Sequence, residues 1–221
     1  MSGKIIVIEG TDCSGKETQS KLLEKRLNNN GYKCIRFGFP MYDTPTGKII
    51  GGDYLGKPEI GESIFEEGAV NVDPYVVCLY YAADRMYNIE QIKNDLNNGY
   101  NVILDRYVYS NMAHQGGKIV SKEQRLEIYK WLYQLEFDLL SLPIPDVKVL
   151  LYMPTEYSKL LKKNRDSLDQ HEQNEEYLKQ ACLAYQEVAE LYNFKVIDCI
   201  SDNEIKSIEE IHNELIKIIK K

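Results

Sequence analysis

The chain has 221 residues, a length that supports one sizeable core and reads as a single domain over 1–221. Apolar residues make up 43% and charged residues 28%, an ordinary globular balance, and no run of about twenty apolar residues is present to span a membrane. A net charge of −7 argues against a nucleic-acid polymer or an anionic membrane surface as partner, yet leaves room for a small anionic ligand met by local positive charge.

Met1-Ser2-Gly3-Lys4 leads straight into an apolar run and leaves no room for a signal peptide, and neither end carries a lipidation signal. Cys13, Cys34, Cys78, Cys182 and Cys199 are odd in number and lack metal-ligand spacing, so they read as reduced thiols. The expectation is a cytoplasmic protein.

Lys4–Glu9 is short, apolar and β-branched, the pattern of a buried parallel strand. Gln19–Leu27 carries leucines at helical spacing. Between them, Gly10-Thr11-Asp12-Cys13-Ser14-Gly15-Lys16 has the phosphate-loop spacing G-x-x-x-x-G-K. In such a turn backbone N–H groups and the helix dipole face phosphate oxygens, and the lysine reaches the β- and γ-phosphates. Gly10, Thr11, Asp12, Cys13, Ser14, Gly15, Lys16, Glu17 and Thr18 are therefore the candidate ATP and phosphate-binding residues. The pattern places Ser or Thr directly after the lysine as a Mg²⁺ ligand. Here Glu17 holds that position, where its charge suits a solvent-facing first helical turn, and the hydroxyl follows at Thr18. Cys13 in the loop has no neighbouring base to make it a nucleophile.

Gly31 closes the first helix, and Tyr32–Pro40 reads as the second strand. Met41–Val72 is rich in Gly, Pro and acidic residues, with a short helix expected near Gly47–Ile50. The insertion, about 51–72, is expected to be largely solvated over Gly56–Gly68. Asp73-Pro74 opens a long helix to about Asn97, with an apolar stripe of Leu79, Ala82, Ala83, Met86 and Ile89 that suits either the core or a dimer face. Asn101–Asp105 is a strand, followed by an expected loop to Val120 and a helix over Lys122–Leu140 holding the single tryptophan, Trp131. Asp146–Met153 is the fourth strand, and a helix from Pro154 breaks into the charged stretch Lys162–Gln173. A helix over 174–192, a strand Phe194–Asp198 and an amphipathic helix Glu204–Lys220 complete the chain. Five strands alternating with helices imply a parallel sheet covered on both faces, with ligands beyond the carboxyl ends of its strands.

Asp105 closes a strand on that ligand face, where a carboxylate holds Mg²⁺ directly or through water and Arg106 clamps a phosphate; a strand-end ion pair is the plain alternative. Tyr81 and Arg85 lie four apart on one helix face, as pocket residues or as core and surface pair. His171 and His212 are expected at the surface.

The phosphate loop, Phe39-Pro40-Met41-Tyr42, Leu79–Arg85, Asp105–Gly116 and Arg165–Glu172 together resemble the thymidylate kinases of the nucleoside-monophosphate kinase group, in family order over nearly the whole chain. The resemblance implies an α/β, three-layer P-loop fold, its five-stranded parallel sheet flanked by helices, with a lid at about 162–173. It implies transfer of the γ-phosphoryl of ATP to dTMP, giving dTDP, with Mg²⁺ as cofactor and a homodimer as the assembly. Lys16, Asp105, Arg106 and Arg165 become the catalytic set, with Asp105 near the metal. Asp12 accepts from the acceptor's 3′-hydroxyl, Tyr81 stacks on the base, and Arg85 donates to its O4. Ser110 and Asn111 meet the base edge, Phe39 packs beside it, Tyr42 and Arg106 hold the acceptor phosphate, and His114 walls the pocket where many members carry tyrosine. Members usually supply an arginine from the loop or the lid. Here those positions are Cys13 and Gln170, and Arg165 is the substitute, with Lys162 or Lys163 behind it. Two alternatives stay open: a kinase for another nucleoside or nucleoside monophosphate, and a nucleotide-binding protein without turnover.

Overall fold

The computed structural model describes residues 2–162 and 174–220. β1 (Ile5–Gly10) is buried along its whole length, as its β-branched run requires of a central parallel strand. It pairs with β3 (Asn101–Asp105) on one side and β4 (Val147–Tyr152) on the other. β2 (Cys34–Gly38) and β5 (Lys195–Asp198) complete a five-stranded parallel sheet in the order β2-β3-β1-β4-β5.

Strand alternation divides the core in two. Ile5 and Val7 of β1, Val102 and Leu104 of β3 and Leu150 of β4 face one cluster, whose helical members include Ile89, Met112, Ile128 and Val188. Ile6, Ile8, Ile103, Val149 and Leu151 face the other, closed by Leu23, Leu215 and Ile216. Helices α3 (Pro74–Asn97), α4 (Val108–Gly116), α5 (Lys122–Tyr133) and α7 (Glu175–Leu191) therefore cover one face. α1 (Lys16–Asn29) and α8 (Ile208–Ile219) cover the other. The three layers match the expected fold, and the strand order runs outward to opposite sides of β1, the place where such sheets open a crevice.

Local signals held where they were strong. Asp73 caps α3 by accepting from Tyr75 N and Val76 N at 2.8 and 3.2 Å, with Pro74 at the first position. Ser207 and Glu210 close a capping box on α8.

Several expectations are corrected. The stretch after Asp105 is not a loop to Val120 but contains α4, whose cap comes from far away: the Glu9 carboxylate accepts from Tyr107 N at 2.8 Å and Ser110 N at 3.0 Å. α2 (Pro45–Lys48) runs on into a π-helical turn over Ile49–Tyr54, longer than the short helix expected. The insertion has no buried residue over Gly56–Gly68, as expected, but on either side of that stretch Ile50, Tyr54, Leu55, Ala69, Val72 and Val77 form a third buried cluster. Lys118 fastens it, donating to Tyr54 Oη, Ala69 O and Val72 O at 3.2, 3.0 and 3.1 Å. The α3 stripe splits: Ala82 and Ile89 are buried, whereas Leu79, Ala83 and Met86 lie on an exposed face with Val76 and Tyr87. His212 is buried, its Nδ1 3.1 Å from Gln19 Oε1, rather than at the surface. The last strand is followed by an unexpected hairpin of β6 (Ile200–Ser201) and β7 (Glu204–Ile205), turned at Asp202 and Asn203 with φ of 50° and 64°. α6 (Thr155–Lys162) ends where the proposed lid begins; Lys163, Arg165 and His171 lie outside the described residues. Among the described residues no helix is long and apolar enough to cross a membrane.

Candidate active site

A cavity of about 570 Å³ opens at the carboxyl ends of β1, β2 and β3. Thr11, Asp12, Cys13, Gly15, Lys16, Glu17 and Thr18 form one wall, so most of the expected phosphate-binding residues share the space. Gly10 and Ser14 stand behind that wall: a Cβ on Gly10 would lie 2.2 Å from Ser14 Oγ, and only glycine lets the turn close. Cys13 and Gly15 take left-handed backbone, φ 57° and 76°, which curls the loop. Thr11 ties the turn to β4, donating to Met153 O at 2.8 Å and accepting from Met153 N at 2.7 Å. Glu17 faces outward, as expected, bonded to Lys21 at 2.7 Å on the helix surface.

Burial is the main force lowering Lys16 to about 8, with the nearby Arg106 charge second, against the pull of Asp105, Asp12 and Glu9. Such a lysine holds its proton more firmly once phosphate oxygens replace water around it.

Arg106 sits at φ 68°, a conformation costing about 1–3 kcal/mol for a non-glycine residue and found at functional sites. Its Nη1 reaches Tyr185 Oη, Ser110 Oγ and His114 Nε2 at 3.1, 3.2 and 3.2 Å. Burial opposes its charge, but Tyr185, Glu9, Asp105 and Tyr42 outweigh that and hold its pKa above the usual value. Because guanidinium only donates, His114 Nε2 accepts and Nδ1–H donates to Tyr177 Oη at 2.8 Å. His114 is thus a wall residue held from α4 and α7, as expected.

Behind Arg106 lies Glu9, which sequence reading passed over. It is fully buried and takes hydrogen bonds from Tyr107 N, Ser110 N and the Ser110 hydroxyl. Burial pushes it up to about 7, although the Ser110 hydroxyl and the Arg106 charge pull the other way. Ser110 is corrected here. Its hydroxyl donates to Glu9 and accepts from Arg106 and Tyr185, so no proton remains for a base edge.

Unsatisfied amides lie next to it. Asn111 donates Nδ2 to Cys78 O at 3.2 Å, but its Oδ1 has no partner, and neither amide atom of Gln115 has one among the described residues. Both side chains are buried, and both line the cavity. Buried polar atoms without partners cost about 1–3 kcal/mol each, so they mark places where a polar ligand belongs. Gln115 was missed; the signal available was a glutamine at helical spacing from Asn111.

Tyr81 and Arg85 of α3 line the same cavity, as does buried Phe39. Tyr81 meets Tyr54 edge-on, ring centroids 6.3 Å apart. Arg85 is in neither a surface pair nor open solvent: it bonds Glu136 through Nε and through Nη2 at 2.6 Å, both side chains buried. Glu136 comes from the π-helical turn Gln134–Leu139 that continues α5 and widens it at this point. Asp84, also missed, fixes the Tyr42 segment by accepting from Met41 N at 3.0 Å and Thr46 Oγ1 at 2.8 Å.

Asp105 lines the cavity, but its Oδ2 accepts from Arg36 Nη2 at 2.7 Å and Ser20 Oγ at 3.3 Å. Arg36 itself was not anticipated at the site. No cluster of three His, Cys, Asp or Glu side chains that would hold a metal occurs among the described residues. The donor set therefore suits a metal carried by a ligand and touched once by the protein, through the other Asp105 oxygen.

A phosphate loop at a sheet's switch point, with cations and orphaned amides sharing one cavity, defines a nucleotide-binding P-loop protein of the α/β class. The family model described as thymidylate kinase matches residues 8–215, and the chain belongs to that family. It is 33% identical over 215 residues to the probable thymidylate kinase of Methanocaldococcus jannaschii, covering 97% of this chain and 95% of the relative. It is 31% identical to the thymidylate kinase of Plasmodium falciparum, covering 99% and 90%. The structure of the Candida albicans thymidylate kinase superposes with a TM-score of 0.76 at 26% identity, covering 99% of this chain and 92% of that one.

Proposed function

We propose that the chain transfers the γ-phosphoryl of ATP to dTMP, giving dTDP. The observation that carries the reading is that one cavity is lined both by the phosphate loop with Lys16 and by Tyr81, Arg85, Asn111 and Gln115. Lys16 and the loop amides grip the donor phosphates. Arg106 answers the charge on the transferring group, together with Arg165 from the lid. Asn111 and Gln115 offer the acceptor and donor that a pyrimidine N3–H and O4 require, Tyr81 offers an aromatic face, and Asp12 meets the 3′-hydroxyl. The reaction needs positioning and charge neutralisation more than a base, which agrees with His114 being committed to Arg106.

Mg²⁺ arrives with ATP, and Asp105 is the side chain that would touch it or its water; when bound it neutralises phosphate charge. Glu17 stands at the exposed rim of the cavity, paired with Lys21 at 2.7 Å. The exposed apolar strip of Val76, Leu79, Met86 and Tyr87 on α3 supports a homodimer. The five free cysteines support a cytoplasmic setting.

The test is turnover with ATP and Mg²⁺ on dTMP, dUMP, dGMP and thymidine. The expected result is the highest kcat/KM on dTMP. No activity on dTMP, or product formation no faster than in Lys16→Ala, overturns the assignment.

A further inference from the structure

We infer that Glu9 is a positioning residue for the acceptor phosphate: through Ser110 and Tyr185 it fixes the Arg106 guanidinium so that its Nε–Nη2 edge is offered to that phosphate. The inference rests on the proposed kinase reading, in which Arg106 receives the acceptor phosphate, and adds the buried acid that sets the arginine's aim.

Among the described residues, all the hydrogen bonds of the Arg106 guanidinium are made at Nη1, to Tyr185 Oη, Ser110 Oγ and His114 Nε2. Nε and Nη2 form the side-on fork that meets two phosphate oxygens at once. That fork is left for a ligand in the cavity that Arg106 lines. Holding Nη1 therefore decides where the fork points.

Two hydroxyls carry that hold back to Glu9. Tyr185 Oη lies 2.8 Å from Ser110 Oγ, and Ser110 Oγ bonds the Glu9 carboxylate. A guanidinium only donates and a carboxylate only accepts, so the hydroxyls between them are ordered in one direction. Tyr185 accepts from Arg106 and donates to Ser110, and Ser110 donates to Glu9. The second Glu9 oxygen accepts from Tyr107 N and Ser110 N at 2.8 and 3.0 Å. Glu9, Ser110 and Tyr185 are all buried. Burial works against the charge on Glu9 and on Arg106, and each favours the ionised form of the other.

The backbone is held from the same strand. Arg106 N donates to Ile8 O at 3.1 Å and Tyr107 N donates to Glu9, so β1 grips the amides on both sides of the left-handed Arg106. Glu9→Gln keeps the volume but turns one oxygen into an NH₂ group. That group meets either the Ser110 hydroxyl, which then loses its acceptor, or the Tyr107 and Ser110 amides, which are donors themselves. In both orientations the one-way order breaks and Nη1 loses its fixed seat.

The experiment measures Kd by calorimetry on the full chain, for dTMP and for thymidine, which keeps the base and sugar but lacks the phosphate. It is run at pH 8, above the value of about 7 to which burial raises Glu9. Glu9→Gln is expected to weaken dTMP binding roughly ten- to a hundredfold and to leave thymidine unchanged. Adding Glu9→Gln to Arg106→Met should weaken dTMP no further than Arg106→Met alone, because the acid acts through the arginine. Tyr185→Phe cuts the chain of hydroxyls and leaves the Glu9 cap on α4 in place. It should weaken dTMP about three- to thirtyfold, again adding nothing to Arg106→Met, and it carries the test if Glu9→Gln fails to fold. An unchanged dTMP Kd in the folded variant, thymidine weakened in step with dTMP, or an additive loss in the double variant overturns the inference alone. A wild-type chain that does not bind dTMP overturns both this inference and the function it rests on.

Discussion

The Arg85 guanidinium and the Glu136 carboxylate meet fork to fork inside the cavity wall, with Nη2 2.6 Å from Oε1 and both side chains at most 2% exposed. Burial works against the charge on Arg85, and the facing carboxylate more than restores it, holding its pKa above the usual value. The pair decides where the guanidinium points, and so what it offers a base.

Glu136→Gln removes the counter-charge and leaves the guanidinium buried. The expected loss is about 3–5 kcal/mol in urea unfolding, the scale for breaking a buried pair from one side. An Arg85→Met, Glu136→Met double variant should recover most of that stability, because neither charge remains to be buried. It should not recover dTMP affinity. A double variant as unstable as the single one would show that packing, not charge, holds this wall.

The contrast between these residues and the phosphate loop explains what was legible in the sequence. Strand, glycine turn, lysine and helix lie within about twenty consecutive residues, and each signal is local, so the loop and the fold around it could be read directly. The Asp73-Pro74 cap was legible for the same reason. Glu136 reaches Arg85 across 51 positions, and Glu9 caps α4 across 101. A lone acid in an apolar stretch gives no hint of its partner, and α4 looked like a loop because its cap sits on another strand. Arg36 and Lys118 escaped notice likewise, their acceptors being supplied by distant segments. The Asp202-Asn203 turn was a local signal and could have been found.

Glu9 makes stability depend on pH in a direction opposite to that of most carboxylates. Its folded pKa, raised to about 7 chiefly by burial, exceeds the ordinary glutamate value of 4.5, so the folded state binds the proton more tightly. The stabilisation is fully present below about 4.5 and is lost as pH rises through about 7. The window is worth about 3 kcal/mol. Glu9→Gln cannot ionise, so its stability relative to wild type should improve from pH 5 to pH 8. Paired urea titrations across that range check it; a flat difference would mean that Glu9 keeps its ordinary pKa.

Lys16 separates function from stability. Burial already lowers it to about 8, which means that its surroundings in the protein disfavour its charge. Lys16→Met should therefore leave the thermal midpoint unchanged or slightly raised while kcat falls roughly a hundred- to a thousandfold. Calorimetry and single-substrate kinetics on the same preparation test the pairing. A large drop in the midpoint would make the lysine a structural residue.

Gln115 offers the sharpest separation of a binding role from a packing role. It is fully buried, with neither amide atom partnered among the described residues. A core glutamine kept for structure would be hydrogen-bonded, since orphaned buried amides cost about 1–3 kcal/mol. Methionine has nearly the same volume and no group to satisfy. Gln115→Met should thus stabilise the ligand-free protein by about 1–2 kcal/mol in urea unfolding. The same change should raise KM for dTMP about tenfold or more, because the base loses a partner that the pocket holds in place. Thymidine inhibition should weaken by the same factor, as the lost contact is to the base and not to the phosphate. A variant that loses stability and keeps its KM would assign Gln115 to the core instead.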